Sequence, residues 1–517
     1  MRWAWRLVLA WLICWPAQAL ADWREVTTDH FIVYSEEAPQ AVVAYAEKLE
    51  LYDRMLRHML DMRNEAPAKS GKLTVFVLPS EAAIRSMYGK GGDSVGGFYL
   101  PRARGAIAFV PRPTRVKGEN GWSGQLILLH EYAHHFMLSN FSAAYPSWYV
   151  EGFAEFCATT VFEDDGSLVV GRPPQFRAYE ILAPTALTVE EMVQTGRKYS
   201  TVELSQLYGR GWLLTHYLNF TPARDGQLAK YLTGLNTGTP SLQAAQAAFG
   251  DLRQMDRDLR AYAAGKLAAG RLTLPPVKAS DVKVRELTAG ENATMPVRMR
   301  STRGVSLDEA RKLLPDARRA AGRFPNDAMA QRVLAEAEFD AGNLAEAEAA
   351  ADRALAADPT LTEAMIYKGM VRQAQAIATN DPNSPLWREA RRLFLQANRL
   401  DSTHPEPLIH FYTSFPTAPT ANAVTGLIAA FRAAPHDRGV RLMLARQQLI
   451  EGKTKDARRL LLPLAFAPHE GGAKNLAQQV VEGIDQGKSG PDLAAMLLGA
   501  QPDGEGEGKP ALRRPHA

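Results

Sequence analysis

Cysteine is nearly absent from this chain: its 517 residues include only Cys14 and Cys157. If the N-terminal segment discussed below is removed on export, Cys157 remains alone. An intrachain disulfide and a thiolate zinc cage are then both excluded. Cys157 falls in an expected helix and reads as a buried, inert thiol. A surplus of one charge is also lacking, because 60 Lys and Arg face 56 Asp and Glu, a formal net charge of +4. That is too little to argue for nucleic acid or an anionic membrane. No Lys/Arg face interleaved with exposed aromatics is evident, so no nucleic-acid partner is expected. Beyond the N-terminus no apolar run approaches the ~20 residues of a membrane span, so no transmembrane anchor is expected after processing. The glycines of Gly89-Lys90-Gly91-Gly92 lack the order of a phosphate-binding loop and read as a flexible loop.

The first 21 residues form a segment of their own. Arg2 and Arg6 precede an apolar run from Leu7 to Trp15, Pro16 breaks it, and Ala19-Leu20-Ala21 has the small-x-small pattern of a cleavage site. Ile13 is too large for the small residue that precedes a lipoprotein cysteine. Residues 1–21 are therefore expected to be a cleaved signal peptide, and the mature protein periplasmic or secreted.

Periodicity divides the remainder. Residues 22–265 mix strands and helices, with apolar strand patterns at His30 to Tyr34, Leu73 to Leu78, Phe98 to Leu100 and Ala106 to Val110. Helical spacing runs from Pro39 to about Met62, from Trp122 to Leu138 and from Trp148 to Thr160. Residues 266–304, with Pro275-Pro276 and alternating Val and Lys, read as a linker, with room for one strand. Residues 305–500 are Ala-, Leu- and Arg-rich and helical, and 501–517 read as a disordered tail. With Ala328 as position 1, Ala335, Ala347, Ala351, Ala354 and Pro359 fall at positions 8, 20, 24, 27 and 32. This spacing resembles the tetratricopeptide repeat, in which small residues let two helices of a hairpin approach closely. Glu338 departs from it, standing where a tyrosine is expected. Further units follow through Gly369, Ala390, Phe394 and Ala397, then Ala423 to Pro435, then Ala445 to Leu464. A solenoid of this kind presents a groove for a protein partner.

The chemistry concentrates in His130-Glu131-Tyr132-Ala133-His134. Residues four apart share a helix face, so both imidazoles can hold one metal ion. Glu131, rotated by about 100°, stands beside the metal, where it can take a proton from an attacking water. Position 137 is Met and position 140 is Asn, which excludes the metzincin pattern. Glu151-Gly152-Phe153-Ala154-Glu155 follows, with its two acids one turn apart.

Together these motifs resemble the gluzincin clan of zinc peptidases, and most closely the peptidase-MA-like domains fused to tetratricopeptide repeats. The resemblance implies an α+β zincin-like metallopeptidase domain followed by an all-α repeat solenoid, with Zn2+ as cofactor. It implies metal ligands His130, His134 and Glu151, with Glu131 as catalytic base. Glu155 would support His130 from behind, the usual arrangement around a ligand histidine. A tyrosine or histidine beyond the third ligand would stabilise the oxyanion; Tyr208 is the candidate and His216 the weaker one, with a packing role open for each. His135 reads as structural and His58 as a surface residue. The strand Gly105-Ala106-Ile107-Ala108-Phe109 lacks the Glu with which the aminopeptidases of the clan grip a free amino terminus, which favours an endopeptidase. The expected function is zinc-dependent hydrolysis of a peptide or protein substrate outside the cytoplasm. The alternative is an inactive zinc-binding envelope scaffold whose repeats bind a partner.

Overall fold

Short apolar strands with alternating side chains build a sheet that must bury both faces. In the computed structural model, residues 22–499 are described apart from 93–94, 113–123, 184–185, 195–196, 198 and 468–471. The expected signal peptide, the tail and Trp122 lie outside the described residues.

The strands are β1 (Arg24–Thr27), β2 (Phe31–Ser35), β3 (Leu73–Leu78), β4 (Phe98–Leu100) and β5 (Ile107–Pro111). β9 (Lys283–Glu286) completes the sheet, in the order β4-β5-β3-β2-β1-β9. β2, β3 and β5 run parallel, while β4, β1 and β9 pair antiparallel with their neighbours. A smaller antiparallel sheet holds β6 (Val161–Phe162), β7 (Leu168–Val170) and β8 (Gly270–Leu272).

On one face of the main sheet, Val26, Phe31, Val33, Val75 and Ala108 pack against α1 (Pro39–Met59) and α3 (Gly124–Asn140). The opposite face carries a ladder of aromatic rings. Tyr34, Phe76, Phe109 and Phe98 are cross-strand neighbours, with successive centroids 5.2, 5.1 and 4.9 Å apart. α2 (Glu81–Tyr88) and α11 (Ala289–Arg303) cover that ladder through Ile84, Met87, Met295 and Met299. Behind α3 stand α4 (Ser147–Ala158), α5 (Ala178–Leu182), α6 (Val189–Met192), α7 (Thr201–Phe220), α8 (Gln227–Asn236), α9 (Ser241–Phe249) and α10 (Leu252–Ala263).

Residues 266–304 are therefore not a bare linker. β8 closes the small sheet, β9 pairs with β1 along Arg24↔Glu286 to Thr27↔Lys283, and α11 seals the aromatic face. The helix starts at a capping box between Thr288 and Glu291, a signal present in the sequence. β9 is exposed along its length, so it lacks the apolar pattern by which a strand is recognised.

The helical hairpins begin with α11 itself, paired to α12 (Leu307–Gly322). α13 (Ala328–Asp340) pairs with α14 (Leu344–Ala357), and α15 (Thr362–Ala378) with α16 (Pro385–Leu400). α17 (Pro405–Thr413) pairs with α18 (Ala421–Ala433), α19 (Arg438–Ile450) with α20 (Thr454–Ala465), and α21 (Gly472–Asp485) with α22 (Gly490–Met496). The small residues singled out by their spacing sit at the close approaches: Ala335, Ala347, Ala351, Ala354, Ala390 and Ala397 are all fully buried. A Cβ added at Gly369 would lie 2.5 Å from the Phe394 ring. The hairpins curve back onto the sheet domain. Arg104, in the β4–β5 turn, reaches Glu336 at 2.8 Å and the Tyr367 hydroxyl at 3.1 Å, and the His436 ring lies 3.1 Å from the Arg102 carbonyl. The chain is thus mostly helical around one small mixed sheet. Among the described residues no helix is long and apolar enough to cross a membrane.

Candidate metal centre

α3 is apolar nearly all round, which makes it a buried helix, and its tyrosine and histidines point to three different neighbours. Tyr132 points to α1, donating to Asp53 at 2.7 Å. His135 points to β4, its Nδ1 2.8 Å from the Tyr99 hydroxyl. His130 and His134 point to α4, and their Nε2 atoms lie 3.0 Å apart. Glu151 Oε2 stands 3.3 Å from the first and 3.5 Å from the second. The candidate ligand atoms of these three residues all lie within 4.8 Å of one another.

The donor set fits a zinc ion. Ligands at about 2 Å in tetrahedral geometry are separated by about 3.3 Å, and two imidazoles with one carboxylate leave a fourth position open. Burial alone would lower the His130 pKa, but the hydrogen bond and charge of Glu151, joined by Glu155 and Glu131, raise it to about 9. The carboxyl of Glu151 is held far below its ordinary range: burial opposes this, and His134 and His130 overcome it. The site thus concentrates negative charge around two ring nitrogens, the electrostatics of a cation-binding position.

Glu155, fully buried, occupies the position behind His130: its Oε1 is 3.7 Å from His130 Nδ1 and accepts from Arg177 Nη2 at 2.8 Å. Tyr208, on α7, stacks its ring on His130 with centroids 5.8 Å apart, while Arg177 lies 4.7 Å from the Tyr208 ring centre. Burial first, then Glu151, raises the phenol pKa well above its ordinary value. Glu131 is half-buried, and its charge bears on His130, on Tyr208 and on Tyr99 of β4.

His216 is not brought to the cluster. Its ring reaches the carbonyls of Gly171 and Ala268 at 3.1 and 3.0 Å and the Tyr262 hydroxyl at 2.9 Å, a core position. His58 is exposed. Cys157 is fully buried, and burial pushes its thiol pKa far up. Gly152 lies where α4 crosses α7. Its missing side chain admits α7 rather than α3, since a Cβ there would lie 2.3 Å from the Gly211 carbonyl oxygen.

A second buried cluster escaped sequence reading. His30 Nδ1 lies 2.8 Å from Glu50 and 3.3 Å from Asp53, while Asp53 also accepts from Arg57 at 2.6 Å and from Tyr132. Every member has partners, so this is an internal polar network that braces α3 against α1. Its signal was two acids, Glu50 and Asp53, set into the apolar face of α1. No protein family matches this chain, and no curated protein matches it either.

Proposed function

We propose that the protein is a zinc-dependent endopeptidase of gluzincin type, acting outside the cytoplasm and carrying tetratricopeptide-like repeats. The observation that carries this reading is the convergence of His130, His134 and Glu151 from two helices, with Glu155 behind His130. Zinc held there would lower the pKa of a bound water towards about 7 and polarise the scissile carbonyl. Glu131 takes the proton of the attacking water and returns it to the leaving amine. Tyr208, kept protonated by its burial, donates to the oxygen on which charge develops. Glu155, pinned by Arg177, holds the His130 ring so that Nε2 faces the cluster. A peptide substrate is favoured because β4 is an edge strand packed on α3, and extended peptides add to such edges.

The test is cleavage of an extracellular proteome by the purified zinc-loaded protein. Replacing Glu131 by Gln is expected to lower turnover by about 10²–10⁴-fold, the usual contribution of a positioned base, with zinc content unchanged. Unaltered cleavage by this variant would eliminate the proposed base. A wild-type protein that binds zinc yet cleaves nothing would favour the scaffold reading.

A further inference from the structure

We propose that the face formed by α16 and α17 is a docking site for an acidic protein segment carrying an apolar side chain. Along α16, Arg388, Arg391, Arg392 and Arg399 recur at offsets of three, four and eleven, so they share one side of the helix, and Leu395 lies exposed among them. Phe411 of α17 and Phe415 just beyond it complete, with Thr420 and Asn422, a cleft of about 520 Å³. Phe411 meets Phe415 edge-on with centroids 5.4 Å apart. The Arg391 guanidinium lies 4.7 Å from the Phe415 ring centre and donates to the Ser414 carbonyl at 2.9 Å.

What marks this cleft is the missing counter-charge. No Asp or Glu lines it, and among the described residues none of its four arginines makes an ion pair. Several arginines elsewhere in the helical region do have an acidic partner: Arg318 with Glu338, Arg332 with Glu336 and Arg458 with Asp485. Glu389, the acid within the same helix, is turned away to Arg372 at 3.2 Å. Consistent with unneutralised charge, burial and then Arg388 lower the Arg391 pKa.

Guanidinium groups match carboxylates in forked geometry, and the half-buried phenylalanines offer an apolar floor between them. Stacked bases need open ring faces, and Arg391 already covers Phe415. The basic and aromatic residues are not interleaved along the sequence, because the arginines stand on α16 while Phe411 and Phe415 come from α17 and the turn after it.

The experiment titrates the full chain with a fluorescein-labelled dodecapeptide of glutamate and phenylalanine. A lysine–phenylalanine counterpart, phosphatidylglycerol vesicles and a single-stranded oligonucleotide are compared. The acidic peptide is expected to bind best and to weaken with added salt. Arg388→Glu with Arg392→Glu should weaken it by about tenfold, as should Arg399→Glu alone in lesser degree. Arg311→Glu with Lys312→Glu, on exposed positions of α12, should leave binding unchanged. Equal weakening by that control pair would overturn the assignment. So would a preference for vesicles or oligonucleotide, or peptide binding that appears only after deletion of 501–517, which would make the chain's own tail the occupant.

Discussion

At the residue scale, Glu151 and Glu155 lie one helical turn apart on the same helix, and burial does not separate them, since both are inaccessible. Distance does. Glu151 Oε2 reaches the Nε2 atoms of both histidines, whereas Glu155 addresses only Nδ1 of His130 and answers to Arg177. Glu151→Gln is accordingly expected to abolish tight zinc binding, and Glu155→Gln to weaken it by about 10–100-fold. Competitive metal titration reads both, and a larger loss from the Glu155 variant would reverse the two roles. Tyr208→Phe removes only a hydroxyl beside the cluster. It is expected to lower kcat by about 10²–10³-fold, the scale of one lost oxyanion donor, while zinc content stays the same. A drop in zinc content would instead make Tyr208 a packing residue that shapes the site.

At the element scale, α4 and α7 cross with almost no space between them. A Cβ on Gly152 would meet the Gly211 carbonyl at 2.3 Å, and one on Gly211 would meet the Trp148 carbonyl at 2.4 Å. Both obstacles are backbone, which cannot rotate aside. Gly152→Ala is therefore expected to cost about 3 kcal/mol, the upper end for overpacking, and to weaken zinc binding, because the same crossing sets Glu151 against the histidines and Tyr208 against His130. Urea unfolding measures the first effect. Unchanged stability would show that α7 is free to shift. The braces on the other side of α3 act similarly: Tyr132 ties the motif helix to Asp53, and Tyr52 donates to the Leu129 carbonyl at 3.0 Å.

At the scale of the whole molecule, the helical hairpins are not a separate arm. Ala144 belongs to the apolar core of α17 to α22, and α11 is both the lid of the sheet and the first helix of the hairpins. The junction also carries titratable groups. His436, between α18 and α19, packs its ring on His135 with centroids 4.9 Å apart. Burial first, then Arg441, pushes the His436 pKa down to about 4, and the Arg102 carbonyl only partly offsets this. His135 is likewise lowered, by burial and by His436. A histidine whose folded pKa lies below its unfolded value of about 6.5 opposes folding once the unfolded chain takes up its proton. Stability should be full above about pH 6.5 and decline as the pH falls towards about 4, by about 3 kcal/mol for His436. Melting curves of the wild type and of His436→Asn across that interval test this; the variant is expected to show the shallower decline, and identical slopes would clear His436 of the effect.

The sequence by itself determined the local features. These are the one-turn spacing of His130 and His134, the matching spacing of Glu151 and Glu155, the apolar strands β2, β3 and β5, and the alanines at the hairpin approaches. All of these follow from the periods of helix and strand, which neighbouring residues set among themselves. Only the tertiary structure decided which acid faces the histidines, that α7 delivers Tyr208 and leaves His216 in the core, and that Gly152 makes room for α7. It also decided that residues 283–286 finish the sheet begun at Arg24, some 260 positions earlier (Glu25 and Arg285 are paired). Such contacts are chosen by the packing and ion pairing of elements remote in the chain, and an exposed strand such as β9 carries no apolar pattern from which that pairing could be read.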